Sequence, residues 1–329
     1  MILVCGGLAD TVTELVCSRL EACGYAYRLL DQSRFPAGFT VHWEWIGGRA
    51  RGTINGPGWS LDLDELTGVY ARYLPQDTRM PIAGVSEEMW QGIYAEAEAG
   101  LVALFDGLPC TVVNRTHGGM SNHSKPFQAL VIEECGLKSP ETLVTNDPAE
   151  AISFFEENKR DVIYKSLSGI RSIVRRISRE QQDRFQLLQH GPAQFQRFVP
   201  GDNVRVHVVG DRVFPTRVRS EAVDYRYARL EGQECNMSAE VLAPEVEEAC
   251  IRLARRLDLL FAGIDLKITP DGEVFCFEVN PSPGFTFYEL GTGQPISAAL
   301  ADLLHAAPSD LDAANSQRQH AAALSVPGL

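Results

Sequence analysis

Phe261-Ala-Gly-Ile-Asp-Leu-Lys-Ile-Thr-Pro-Asp-Gly-Glu-Val-Phe-Cys-Phe-Glu-Val-Asn-Pro-Ser-Pro-Gly284 is the stretch whose reading decides the fold. It reads as a strand, a tight turn at Thr269-Pro-Asp-Gly272 and a second strand, because Pro and Asp with a closing Gly supply the backbone a hairpin turn needs. Both strands are mostly apolar, which predicts that both faces are largely covered. Asp265, Glu278 and Asn280 are the polar exceptions. Glu278 and Asn280 are two apart and share a face. Pairing Ile268 with Glu273 sets Asp265 opposite Cys276, on the face of Glu278, so three oxygen donors converge. Buried carboxylates that close raise one another's pKa unless a cation lies between them. A hard ion such as Mg²⁺, taking one or two carboxylates together with phosphate oxygens, fits that set. The competing reading is a core hairpin whose acids reach solvent at an edge.

At 329 residues the chain can build two or three lobes. Its 45% hydrophobic and 22% charged content is that of an ordinary globular protein. A net charge of −13 argues against a general nucleic-acid binder while leaving room for a local basic patch. No apolar run reaches the length of a membrane span, and the start Met1-Ile-Leu-Val-Cys-Gly-Gly7 lacks the basic residues and long apolar core of a signal peptide. The eight cysteines include no C-x-x-C pair, and Cys5 and Cys276 sit in apolar strands where a reduced thiol acts as a small hydrophobe. A cytoplasmic protein follows, with no structural zinc and neither nucleic acid nor membrane as partner. An isologous homodimer is the default assembly.

Taken in order, the chain starts as a βαβ unit, with Gly6-Gly7 as a tight turn or a phosphate cradle. Residues 41–46 alternate as a strand, with Gly47-Gly48 and Asn55-Gly56 as turn signals. Arg72 ends a further strand and either faces a ligand or lies on the surface. Residues 86–106 form an amphipathic helix beginning at Ser86, with Glu87 and Glu88 in its first turn, followed by a short strand and a polar loop over 115–124. A helix opens at Lys125 and closes at Gly136, and Asp147-Pro148 starts another. Lys165 ends a strand that runs into a small-residue loop containing Ser168 and Gly169, an arrangement able to hold and cover phosphates. Arg171, Arg175, Arg176 and Arg179 then form a basic cluster, read either as a mobile lid over anions or as a solvated hairpin. Strands follow from Ala193 and from Asp202; the latter puts Arg205 and His207 on one face, and the next puts Arg217 and Arg219 on one face. A clear amphipathic helix over 244–257 delivers the chain to the hairpin. The residues after Ala306 read as a frayed tail.

In this order, Ser124-Lys-Pro-Phe-Gln, Val162-Ile-Tyr-Lys, Phe195-Gln-Arg-Phe-Val-Pro-Gly-Asp-Asn-Val-Arg, Ala262-Gly-Ile-Asp-Leu and Glu278-Val-Asn resemble the ATP-grasp superfamily. The chain is similar to ribosomal-protein glutamate ligases and, through Phe214-Pro-Thr-Arg-Val-Arg-Ser, Asp224-Tyr-Arg-Tyr and the run after Asn280, more so to ligases of microviridin-like graspetides. The resemblance implies an α/β ATP-grasp fold: an N-terminal lobe (1–115), a central lid subdomain (116–190), a C-terminal lobe (191–305) and a tail (306–329). It implies ATP, held by Lys125 and Lys165 and covered by Ser168 and Gly169. Gln196, Arg197, Phe198 and Val199 would form the adenine hinge, and Asp202 would meet the ribose. Two Mg²⁺ ions would sit on Asp265, Glu278 and Asn280, with Arg205 and Arg219 facing the γ-phosphate and an acyl phosphate. Arg72, Arg171, Arg175 and Arg176 are candidates for substrate contact. Two departures stand out: a single glycine in the loop after Lys165, and Gln196 where many relatives carry Glu.

The activity implied is transfer of the γ-phosphoryl of ATP to a carboxylate, then attack by an amine or hydroxyl to close an amide or ester. The substrate is a ribosomally made peptide or, alternatively, an amino acid added to a small molecule or a protein C-terminus. A nucleotide-binding regulator without turnover is the third reading. Retention of both lysines, Arg205 and the acidic set counts against it.

Overall fold

The apolar run at the start of the chain forms β1 (Ile2–Gly6), and α1 (Thr11–Ala22) begins where the Asp10 carboxylate accepts from Thr13 N. The computed structural model describes residues 1–74, 81–165, 167, 175–219 and 236–306. β2 (Tyr27–Asp31) pairs in parallel with β1. An antiparallel three-stranded sheet follows, made of β3 (Thr40–Ile46), β4 (Arg49–Gly56) and β5 (Trp59–Asp62). The second turn is not at Asn55-Gly56: Gly56 pairs with Trp59, which leaves Pro57-Gly58 as the two-residue loop. Proline pre-sets the first turn position, and Gly58 supplies the left-handed φ of 77° that the second requires.

β6 (Gly68–Ala71), α2 (Glu87–Gly107) and β7 (Thr111–Val113) complete a parallel sheet of order β2-β1-β6-β7. Residues 115–124 are not the expected loop. They form α3 (Thr116–Gly119) and a 3₁₀ turn at Met120–His123, anchored because Arg115 donates to the carbonyls of Phe105, Asp106, Leu108 and Cys110 at the end of α2.

The central sheet has order β10-β9-β11-β8. It is built from β8 (Thr142–Thr145), β9 (Val162–Lys165), β10 (Arg175–Arg176) and β11 (Ala193–Arg197). Before it comes α4 (Lys125–Glu134), and α5 (Pro148–Glu157) packs on it with the 3₁₀ segment Arg179–His190. β11 lies beyond residue 190 yet pairs with both β8 and β9, so this unit runs on to Arg197.

The largest sheet, of order β14-β13-β12-β15-β16, holds β12 (Asp202–Val209), β13 (Arg212–Arg219), β14 (Asn236–Ala239), β15 (Phe261–Ile268) and β16 (Val274–Asn280). α6 (Pro244–Arg256) lays Ala249, Cys250, Leu253 and Ala254 on one face of it, against Val204, Val206, Val208, Ala262, Ile264 and Leu266. Each such large aliphatic side chain removed from water contributes about 1.5–3 kcal/mol. α7 (Thr286–Thr292) and α8 (Ile296–His305) close the chain. Ile296, Leu300 and Leu304 of α8 pack with Ile2, Val16 and Phe261, so one core joins the first and last lobes. α6 covers one face of the large sheet; on the other, Val209, Phe214, Val218 and Phe261 join the core under α8, and the remainder of that face carries the polar residues.

Candidate active site

Strand register sets the residues of that second face in rows. Arg205, Asp265 and Glu278 form one row across β12, β15 and β16; His207, Gly263 and Asn280 form the next. The hairpin is not in the register expected of it. Ile268 pairs with Val274 and Leu266 with Cys276, and a bulge at Phe277 then brings Asp265 directly opposite Glu278. Cys276 accordingly points into the core with Leu266, while Glu278 turns to the face of Asp265. A regular ladder would have kept Cys276 and Glu278 on one face. The bulge therefore joins the acids, and not the simple alternation.

Arg205 Nη1 donates to Asp265 Oδ1 at 2.8 Å, with side-chain exposures of only 7% and 21%. Behind Arg205, His207 is fully buried, and its Nε2–H donates to the Gly284 carbonyl at 3.3 Å. Burial first, then the Arg205 charge, holds His207 well below its usual pKa, so the ring is neutral. Lys165 of β9 comes down from the central sheet to the bulge, its Nζ 5.5 Å from the Phe277 ring centroid. Lys125 opens α4 directly after the Ser124 cap. Gln196 and Arg197 end β11, and Phe198 and Val199 lead from it toward the large sheet. Arg197 stands 5.5 Å over Phe275, and the Phe198 ring is held between Arg176 at 4.4 Å and Lys267 at 5.0 Å. Val199 is buried, and Gln196 is buried on β11, where its Nε2 donates to Thr142 Oγ1 while its Oε1 meets no hydrogen-bond partner among the described residues.

Two expected residues lie on the opposite face of the large sheet. Arg219 pairs across from Asn236 on β13, and by the pleat it shares the face of Val204 rather than that of Arg205. There its Nε lies 3.7 Å from Asp202. Asp202 is on that same far face and is bound by Arg217, which also binds Glu240; the two basic side chains draw it away from the cleft. Arg72 is held by Asp10 (2.7 Å) and by Ser282 O and Oγ (3.2 and 3.1 Å). Arg175 and Arg176 form β10, with Arg176 2.8 Å from Asp161. Ser168, Gly169, Arg171 and the Asp224-Tyr-Arg-Tyr run lie outside the described residues.

Two residues escaped the sequence reading. Asn114, at the end of β7, accepts from Leu260 N and Phe261 N and donates to Phe261 O and Pro281 O. With Arg72 on Ser282, His207 on Gly284 and the Ser282 N–H on Asn280 Oδ1 (2.9 Å), it fixes the loop after Asn280. Gln128 of α4 is the other: it ends the Ser124-Lys-Pro-Phe-Gln motif, and its lone amide stands on an apolar helix stripe with Val131 and Ile132.

Two carboxylates in direct register, with an amide oxygen beside them and one guanidinium on Asp265, form a hard-oxygen set that suits a divalent cation. The chain belongs to the RimK-like ATP-grasp family, whose domain matches residues 121–304. N-acetylaspartylglutamate synthase A of Mus musculus is 24% identical over 238 residues, 68% of this chain and 62% of the synthase. A probable alpha-L-glutamate ligase of Trichodesmium erythraeum is 31% identical over 104 residues, 32% of this chain and 34% of that protein. The chain thus spans less than two thirds of either relative. Among solved structures, the ATP-grasp ligase PsnB in complex with a minimal precursor is 28% identical, with a TM-score of 0.76 over 92% of this chain and 97% of that one. PsnB is also known in complex with a precursor variant, Mg and ADP. The macrocyclase MdnC of Microcystis aeruginosa, bound with precursor peptide MdnA, shares the fold at 24% identity, TM-score 0.78, over 93% of this chain and all of that one. No helix among the described residues is long and apolar enough to cross a membrane.

Proposed function

We propose that this chain is an ATP-dependent ligase that activates a side-chain carboxylate of a ribosomally made precursor peptide and closes it onto an amine or hydroxyl. The observation that carries the reading is the Arg205–Asp265–Glu278 row, with Asn280 beside it and Lys165 reaching down from the facing sheet. Similarity to the peptide-bound PsnB over 92% of the chain, first lobe included, supports the peptide as substrate.

A carboxylate is a poor electrophile until its oxygen becomes a good leaving group. Its oxygen attacks the γ-phosphorus of ATP, ADP departs, and an acyl phosphate of the peptide results. An amine or hydroxyl of the same peptide then attacks that carbonyl, loses its proton, and expels phosphate. Lys125, Lys165 and Arg205 bind the phosphates and neutralise charge that grows during transfer. Asp265, Glu278 and Asn280 would hold two Mg²⁺ ions, which supply further neutralisation of the phosphate oxygens. The hinge at Gln196–Val199 takes the adenine, and Arg175 meets the peptide. Six of the seven described cysteines are buried, where a reduced thiol packs as a small hydrophobe, which suits a reducing cytoplasm.

An amino-acid ligase of the same chemistry is the second reading, favoured by the match to glutamate ligases over about a third of the chain. Trapping with hydroxylamine decides whether an acyl phosphate forms. A peptide hydroxamate that requires ATP supports the proposal, a hydroxamate of a small-molecule or protein C-terminal carboxylate formed without precursor peptide supports the second reading, and neither product contradicts both.

A further inference from the structure

β16 is the edge strand of its sheet, and it is bulged at Phe277, one residue before Glu278. A bulged edge strand has a ladder on one side only, and that ladder is broken next to two of the three proposed metal ligands. Its second side is supplied by a side chain. Gln128, 1% exposed, donates from Nε2 to Val279 O at 2.7 Å, and its Oε1 accepts from Val279 N at 3.1 Å. The amide thus replaces a neighbouring strand at Val279, the residue between Glu278 and Asn280. A little further along, Cys276 N donates to Lys138 O, so the edge is closed from outside by α4 and the segment after it.

Gln128 lies three residues after Lys125 on α4. The same side chain therefore sets two things: the direction in which Glu278 and Asn280 leave the strand, and the distance of the Lys125 end of the helix from them. We infer that Gln128 is a positioning residue for divalent-metal binding, acting through the Val279 peptide group. The inference rests on the ligase reading, because it takes Glu278 and Asn280 as metal ligands. Without the amide, the Val279 N–H and C=O are left buried and unpaired, and the strand moves to satisfy them.

The test is calorimetric affinity for ADP on the full chain, with Mg²⁺ and with EDTA; the ratio of the two is the metal-linked gain. The variants are Gln128→Met, Gln128→Glu, Glu278→Gln and Ser297→Ala. Ser297 is fully buried in a hydrogen-bonded cluster with Glu289 and Arg19, so its loss destabilises the fold away from the cleft. Gln128→Met is expected to lose roughly 10–100-fold of the metal-linked gain, while affinity in EDTA stays within about two-fold. Gln128→Glu, which keeps the acceptor but when ionised has no donor for Val279 O, loses part of it and decides the matter if the Met variant does not fold. Ser297→Ala keeps the full gain, which a merely structural role for Gln128 would also do. A gain unchanged in the Gln128 variants but lost in Glu278→Gln overturns the role of Gln128 alone. A wild type without any metal-linked gain overturns the ligase reading and this inference with it.

Discussion

Gly263 is the gap through which the Arg205 guanidinium lies against Asp265: a Cβ on Gly263 would fall 2.0 Å from Arg205 Nη2 and 2.6 Å from Pro283 Cβ. The demand is steric, because both contacts belong to parts the site holds in place. Gly263→Ala is expected to shift the guanidinium and to lower the single-turnover rate by about 100-fold, the usual consequence of moving a charge-bearing group by an ångström. Overpacking costs about 1–3 kcal/mol, so thermal unfolding still reports a folded protein.

Arg205→Met leaves Asp265 without its guanidinium in a largely buried place. Removing one partner of such a pair costs about 3–5 kcal/mol. A divalent cation bound at Asp265 and Glu278 would restore positive charge there. Melting temperatures of variant and wild type, taken with EDTA and again with Mg²⁺ and ADP, are expected to lie closer together in the second condition.

Asn114 makes four hydrogen bonds to the start of β15 and the loop after Asn280. Asn114→Asp keeps the acceptor and loses both donors, so Phe261 O and Pro281 O each lose a partner at roughly 1–3 kcal/mol. Chemical denaturation is expected to show a loss of a few kcal/mol.

The Asp10–Arg72 pair predicts a pH dependence. Burial alone would raise the Asp10 pKa, but the charge and hydrogen bond of Arg72, with the bonds from Thr13, hold it below the ordinary 3.8. A folded pKa depressed in this way contributes stability that is complete above 3.8 and is lost as the pH falls through the folded value. Arg72→Met is therefore expected to be less stable than wild type at pH 7. Urea midpoints measured down the acid side check it: the difference narrows below about pH 3.8.

The sequence carried most of the secondary structure, because amphipathic stripes and caps such as Ser86 and Asp147 are local signals. It carried the identity of the acidic set, because polar residues in apolar strands are conspicuous. It did not carry their register. The Phe277 bulge depends on how β15 and β16 share the core, and no residue in the hairpin announces it. The faces of Arg219 and Asp202 were missed for a related reason: a pleat is legible within a strand, whereas the side of the sheet that α6 covers is a tertiary fact. Asn114 and Gln128 bond to backbone groups far along the chain, 147 and 151 residues away, so no local pattern reveals what they hold.

Intact mass of a precursor peptide, after incubation with this protein, ATP and Mg²⁺, tests the central claim most directly. The account predicts loss of one water per bond closed, formation of ADP in step with it, and no change with Glu278→Gln. A peptide that gains the mass of an amino-acid residue, or a Glu278→Gln variant that still closes the bond, would contradict it.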